Sequence, residues 1–270
     1  MALAKAISLH IGLNSVDPDE YEGWDGELAA CEFDAKDMLA IAKRQKFTTS
    51  TALLTKQATS DAVISAMKIA AKKLAAGGLF LLTYSGHGGQ VPDRNGDERD
   101  RQDETWVLYD RMLVDDEIYA LWAKFKAGTR IIVLSDSCHS GTVARVMPPF
   151  IEGRPPARAM PPKINEKVYK AHQKKYDRIQ RDVEPAENGG VKASVILISG
   201  CQDNQLSSDG SRNGLFTEKL RKVWNGGKFT GGHRRFRDEI GAKMPEYQSP
   251  NYYVIGKPLP AFEKQKPFTV

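Results

Sequence analysis

A histidine and a cysteine stand at the ends of two matching segments. Leu79-Phe80-Leu81-Leu82-Thr83-Tyr84-Ser85-Gly86-His87-Gly88-Gly89 and Ile131-Ile132-Val133-Leu134-Ser135-Asp136-Ser137-Cys138-His139-Ser140-Gly141 are each an apolar run that ends in small residues. A thiol with a pKa of about 8.5 is a weak nucleophile at neutral pH. A neighbouring imidazole lowers that pKa and can later protonate a leaving amine, which is the chemistry of a cysteine hydrolase. Gly86, Gly88 and Gly141 would let backbone approach a substrate closely, and N–H groups at strand tips can stabilise a developing oxyanion. The plain alternatives are a core thiol beside a buried histidine, or a zinc site. For zinc, no CxxC or HxxxH pairing supplies further ligands. His139 would point away from the nucleophile on an extended backbone. His10, His172 and His233 lack any surrounding motif and read as structural or solvated, and Cys201 reads as core.

Continuous apolar runs of this kind predict strands buried on both faces of a parallel sheet. In open α/β sheets the ligand crevice lies beyond the carboxyl ends of the strands, so His87 and Cys138 would face one crevice. The remaining pattern agrees. Strands are predicted at 4–13, 52–54, 105–109, 193–199 and 252–255. Helices are predicted at 27–46, 60–75 with Ser60 as N-cap and the Gly77-Gly78 pair as its end, 115–125, 165–183, 214–224 and 234–244. Residues 90–104 read as a polar loop. This alternation gives an α/β fold, a mostly parallel sheet of about six strands flanked by helices. The whole chain, 1–270, reads as one domain: 1–147, a Pro-rich charged insertion at 148–190, and 191–270.

The composition bounds the function. The 270 residues are 41% hydrophobic and 27% charged, as in ordinary globular proteins, and no apolar stretch approaches the roughly 20 residues of a membrane span. Lys5 and His10 interrupt the N-terminus and no cleavage site follows, so no leader is predicted. Three cysteines cannot all pair, which fits a reducing, cytoplasmic setting. The net charge of +5 is uneven: residues 1–150 carry 17 Lys+Arg against 21 Asp+Glu, and residues 151–270 carry 22 against 13. The basic residues are spread and lack interleaved aromatics, which argues against nucleic-acid binding. The acidic half holds the proposed site and suits a cationic substrate.

At this point a resemblance enters. Tyr84-Ser85-Gly86-His87-Gly88 and Asp136-Ser137-Cys138-His139-Ser140-Gly141 resemble the catalytic segments of metacaspases and bacterial caspase-like peptidases (orthocaspases). The histidine precedes the cysteine by 51 residues, close to the caspase gap of about 50. The animal-caspase signature Q-A-C-x-G is absent. Ala30-Cys31-Glu32-Phe33-Asp34-Ala35 resembles the family's early helix motif, Ile198-Ser199-Gly200-Cys201-Gln202-Asp203 the start of its small-subunit-like region, and Gln248-Ser249-Pro250 its final segment. The resemblance implies a caspase-like three-layer sandwich and a thioester acyl-enzyme. It implies Cys138 as nucleophile, His87 as acid/base, and the N–H groups of Gly88 and Cys138 as oxyanion hole. It also matches Cys31, Asp34, Ser85 and Asp136 to the pocket for the residue before the scissile bond. Two close carboxylates there would be neutralised by an arginine or lysine and would repel an acid.

Asp93-Arg94-Asn95-Gly96-Asp97-Glu98-Arg99-Asp100-Arg101-Gln102-Asp103-Glu104 crowds six carboxylates into twelve residues without EF-hand spacing. The resemblance implies instead a regulatory calcium site at Asp103, Asp115 and Asp116. Hard carboxylate oxygens suit Ca²⁺, although Arg145 stands where the family often has an acidic ligand. No organic cofactor is implied, and a monomer is expected. The insertion carries Arg154, Arg158, Lys163, Lys174, Lys175, Arg178 and Arg181 in what reads as an exposed stretch, where a protease selective for basic residues could cut its own chain. The competing readings are a non-catalytic caspase-like interaction module and a legumain-like or separase-like peptidase.

Overall fold

The computed structural model describes residues 4–96, 98, 100–138, 156–188, 190–202 and 205–270. Six strands form the main sheet in the order β2-β1-β3-β7-β8-β9. They are β1 (Ala4–Gly12), β2 (Thr49–Leu54), β3 (Leu74–Ser85), β7 (Arg130–Asp136), β8 (Ser194–Ser199) and β9 (Tyr253–Gly256). All pair in parallel except the edge strand β9, which runs antiparallel to β8.

Alternation along the strands builds two cores. Phe80, Leu82 and Tyr84 of β3, with Ile131 and Val133 of β7, point to one face. There they meet Val63, Met67 and Ala70 of α2 (Ser60–Lys73) and Ile118, Leu121 and Trp122 of α3 (Asp115–Trp122). Leu79, Leu81, Ile132 and Leu134 point to the other face. Their partners are α1 (Cys31–Arg44), α5 (Leu215–Trp224) and α6 (His233–Gly241), and a short α7 (Pro260–Lys264) adds Phe262. The result is the expected helix–sheet–helix sandwich. A sheet buried on both faces requires continuous apolar strands, which is why they are conspicuous in the sequence.

Several local expectations are corrected. Helix α1 starts at Cys31 rather than near residue 27: Glu32 N–H in its first turn donates to Asn14 Oδ1, and the Ala29 N–H, still outside the helix, donates to Asp209 Oδ2. Thr59, not Ser60, caps α2, accepting from Ala62 N–H, while Ser60 Oγ bonds Asp110. The Gly77-Gly78 pair does not end α2. It lies inside β3, where the register to β1 slips.

The polar stretch 90–104 is also not a simple loop. β4 (Gly88–Pro92), β5 (Gln102–Val107) and β6 (Met112–Val114) make a small antiparallel sheet. Its apolar side is covered by α4 (Pro162–Asn188) through Val168, Tyr169 and Tyr176. The insertion is therefore partly integrated into the fold. Lys163, Lys174, Arg178 and Arg181 are exposed as expected, but Arg158 is fully buried; Arg145 and Arg154 lie outside the described residues. No helix among the described residues is long and apolar enough to cross a membrane.

Candidate active site

The register of the two central strands brings the chemistry-bearing residues together. Ser85 of β3 pairs with Asp136 of β7, and His87 and Cys138 each lie two residues further on. Gly88 packs against the Cys138 backbone so tightly that a Cβ there would lie 1.6 Å from the Cys138 carbonyl oxygen. Only glycine permits that approach. His87 and Cys138 are both buried.

His87 is held from the side by residues that carry no motif. Its Nε2 bonds the Gly26 carbonyl at 3.1 Å, and the Trp24 ring packs against it with centroids 4.8 Å apart. A carbonyl only accepts, so Nε2 carries the proton and Nδ1 keeps its lone pair. Nδ1 has no hydrogen-bond partner among the described residues. Burial pushes the imidazole down to about 4, against the Gly26 carbonyl and the backbone of Ala159, which act in the other direction. The ring is therefore neutral at pH 7 and able to accept a proton. Tyr84 fixes the preceding turn by donating from its hydroxyl to the His87 carbonyl at 2.6 Å. Cys138 Sγ faces the Ser207 backbone and accepts from its N–H at 2.7 Å.

The N–H groups of Gly88 and Cys138 converge on one oxygen, the carbonyl of Arg158, at 3.0 and 3.1 Å. Two such donors aimed at one point can stabilise a negative oxygen. The Arg158 side chain enters the pocket expected around Asp34, Ser85 and Asp136. Nη2 bonds Asp34 Oδ2 at 2.8 Å, and Nη1 bonds Ser85 Oγ at 2.8 Å and Asp136 Oδ2 at 3.0 Å. Asp209, a residue the sequence did not single out, completes the set, accepting from Nη2 at 2.9 Å and Nε at 3.3 Å. Cys31 lies fully buried at the same pocket, and burial pushes its thiol up.

The carboxylates are themselves fixed by donors. Asp34 accepts from Ser85 Oγ and Asn213 Nδ2; Asp136 accepts from Ser207 Oγ and from Thr217. Gly214 forms the floor, where a Cβ would collide with the guanidinium at 2.5 Å. Burial pushes the Asp34 carboxyl up, with Arg158 opposing. Burial also works against the Arg158 charge, but Asp136, Asp34 and Asp209, with Cys31, more than offset it, and the guanidinium stays cationic.

Arg158 arrives on an extended strand. Arg158 N–H donates to the Ser207 carbonyl, Asp209 N–H to the Pro156 carbonyl and Met160 N–H to the Gly88 carbonyl, at 2.8 to 2.9 Å. Residues 156–160 thus lie in the crevice as an added strand, bridging Ser208 on one side and Gly88 on the other.

The second expected cluster also assembles. Asp103, Asp115 and Asp116 each offer a ligand atom within 4.8 Å of the others, as do Glu98, Glu104 and Asp115. Burial pushes Asp115 well above the usual carboxylate range, reinforced by Glu104, Asp103, Asp116 and Glu98. Several carboxylates held this close form a donor set suited to a hard divalent cation. His10, in contrast, is structural, bonded to Thr83 and Ser8, and Cys201 is core. His139 lies outside the described residues.

Residues 16–260 match the family model of the caspase domain. Metacaspase-1 of Arabidopsis thaliana is 32% identical over 218 residues, 76% of this chain and 53% of that protein. Metacaspase-1 of Kluyveromyces lactis is 27% identical over 246 residues, 78% of this chain and 55% of that protein. The chain thus spans about half the length of these curated relatives. A protein from Geobacter sulfurreducens with a solved crystal structure is 52% identical, at a TM-score of 0.90, covering 98% of this chain and 99% of that one. Caspase-1 from Spodoptera frugiperda shares the fold at a TM-score of 0.51 and 9% identity, over 94% of this chain and 88% of its own. With a caspase-domain match running through nearly the whole sequence and metacaspases among its relatives, this protein belongs to the caspase-like peptidase family.

Proposed function

We propose that this chain is a cysteine endopeptidase that cuts after arginine and less readily after lysine. One observation carries the reading: the Arg158 carbonyl oxygen sits between the Gly88 and Cys138 N–H groups while its guanidinium fills the acidic pocket. That is the pose of a residue whose following bond is to be cut. Cys138 attacks the carbonyl carbon, His87 Nδ1 takes the thiol proton and passes it to the leaving nitrogen, and water then opens the thioester. Gly88 and Cys138 hold the oxyanion. Asp34, Asp136, Ser85 and Asp209 hold the side chain, with Cys31 in the pocket wall.

Preference for arginine follows from donor count. A guanidinium has five N–H donors in a planar fork, and this pocket meets all three of its nitrogens. Lysine, with its three donors on a single nitrogen, cannot occupy the separate positions from which Nε, Nη1 and Nη2 reach these partners. The carboxylates of Asp103, Asp115 and Asp116 are inferred to hold calcium, which would supply the positive charge that offsets their mutual repulsion.

Peptides cut from a proteome digest by the wild-type chain, compared with Cys138→Ala by mass spectrometry, test this reading. Cuts after arginine, fewer after lysine, and none with Cys138→Ala are expected. Identical digests would identify a non-catalytic interaction module. Cuts after asparagine or aspartate would identify a different specificity.

A further inference from the structure

Resting on the peptidase reading, we infer that the outward face of α4 docks an acidic stretch of the substrate, lying shortly beyond the arginine that is cut. Lys163, Lys167, Lys170, Lys174, Arg178 and Arg181 follow one another at steps of four, three, four, four and three residues, and all six are exposed. Such steps keep side chains on one side of a helix. The row is about 27 Å long at the helical rise per residue. The helix bends at His172, and the cations continue on both sides of the bend.

The opposite face of α4 is already engaged. Val168, Tyr169 and Tyr176 pack against the small sheet, the Tyr176 hydroxyl accepts from Met112 N–H, and Gln180 Nε2 donates to the Pro92 carbonyl. What α4 turns outward is therefore charge on a fixed support. Like charges three and four residues apart disfavour a helix. Of the six cations only Lys170 pairs with an acid, Glu166, among the described residues. A partner carrying a row of anions relieves that repulsion.

The two ends of the row identify the partner. Lys163 stands five residues beyond Arg158, on the side where the chain after the cut bond leaves the cleft: Ala159 bridges Gly88, and Met160 N–H donates to the Gly88 carbonyl. At the far end, Arg94, Asn95, Asp177, Gln180 and Arg181 line a cavity of about 370 Å³. Asp177 is paired there with Arg94. Gln180 is 1% exposed, and its Oε1 has no hydrogen-bond partner among the described residues. A DNA backbone offers phosphate acceptors to cations but no donor for that oxygen. A peptide offers carboxylates to the cations and an N–H to Gln180. An extended peptide covers the row with about eight residues. The favoured substrate is thus an arginine followed closely by an acidic run, whereas an arginine followed by lysines is repelled. Such attraction raises association rates by about ten- to a thousandfold and fades with salt.

The test uses the full chain and three fluorogenic peptides sharing one arginine site, followed by an acidic, a Gly-Ser or a lysine-rich run. Docking is read separately, by fluorescence anisotropy of the labelled acidic run alone on Cys138→Ala, with a DNA duplex as the rival polyanion. Both readouts are repeated with Lys174→Glu/Arg178→Glu and, at the other end of the row, Lys163→Ala/Lys167→Ala. The wild type is expected to show a kcat/KM at least about tenfold higher for the acidic peptide than for the Gly-Ser one, a gap that closes in high salt, and to cut the lysine-rich peptide slowest. Lys174→Glu/Arg178→Glu is expected to lose that advantage and at least about tenfold in affinity for the acidic run, while cutting the Gly-Ser peptide as before. Lys163→Ala/Lys167→Ala is expected to lose a smaller part of both.

Equal rates for the acidic and Gly-Ser peptides, or an affinity untouched by Lys174→Glu/Arg178→Glu, overturn the inference. DNA held through these cations with the acidic run unbound overturns it in favour of a nucleic acid. Docking that depends on Lys174 and Arg178, with no peptide cut by any form of the chain, overturns the peptidase reading instead and leaves α4 as the docking face of a binding module.

Discussion

Two clusters of carboxylates lie in this molecule, and they are compensated in different ways. Around the cleft, Asp34, Asp136 and Asp209 surround a guanidinium supplied by the same chain, and hydroxyl, amide and backbone donors occupy their other oxygens. At the rim of the small sheet, Asp103, Asp115, Asp116, Glu98 and Glu104 gather, and burial together with the other four carboxylates pushes the Asp115 carboxyl up. A covalently attached cation gives a closed, rigid pocket whose members depend on one another. If the second cluster holds a diffusible cation, as proposed, it must instead tolerate repulsion until the ion arrives.

The contrast can be broken by mutation, because the two clusters should respond with opposite signs. Asp34→Ala leaves Arg158 short of a buried partner and is expected to cost about 3–5 kcal/mol in urea denaturation. A smaller loss would mean that the pocket is wetter than its burial indicates.

Protonation gives the next largest effect. His87 takes up a proton near 6.5 when unfolded but only at about 4 when folded. Its contribution to stability is therefore complete above pH 6.5 and declines as pH falls toward 4. Relative to His87→Gln, the wild type should lose about 3 kcal/mol across that window, and parallel stability curves would refute this. Asp115 is shifted in the opposite sense, its protonation favouring the folded chain in acid.

Calcium should raise the melting temperature by an amount equivalent to about 2.7 kcal/mol at a hundredfold excess over its Kd, reversibly with chelator. An unmoved melting curve would remove the metal from the account. Smallest is Asp115→Asn without calcium, expected to stabilise by about 1 kcal/mol through relief of repulsion, while abolishing the calcium response.

What could be read in advance follows the same division. The central strands declare themselves because burial on both faces demands unbroken apolar residues, and their ends carry His87 and Cys138. Asp34, Ser85 and Asp136 follow from the family resemblance of their segments. Asp209, Asn213 and Gly214 come from the segment after β8, where no spacing relates them to the strands they meet. β4 and the first half of β5 are hidden because Gln90, Gln102, Asp103 and Glu104 give them a loop's composition, while the second half of β5 falls within the strand predicted at 105–109.

Arg158 is the instructive failure. Among several cations and prolines it looks solvated. A usable signal was present in Pro155-Pro156-Ala157-Arg158-Ala159-Met160-Pro161-Pro162. Prolines on both sides hold the residues before them extended, alanines flank the arginine with minimal bulk, and two carboxylates predicted to be buried require a cation.

The main-chain grip on residues 156–160 has a last consequence. Ser207, Asp209, Gly88 and Cys138 take hold of carbonyl and N–H groups that every peptide possesses, and they do so along a stretched chain. In a helix those same groups are turned inward and already engaged. If the cleft accepts substrates as proposed, an arginine on the helical surface of a folded protein would not thread into it, whereas one on a slack loop or an unravelled terminus would. Selection among cellular proteins would then depend less on how many arginines they display than on which of them have come undone.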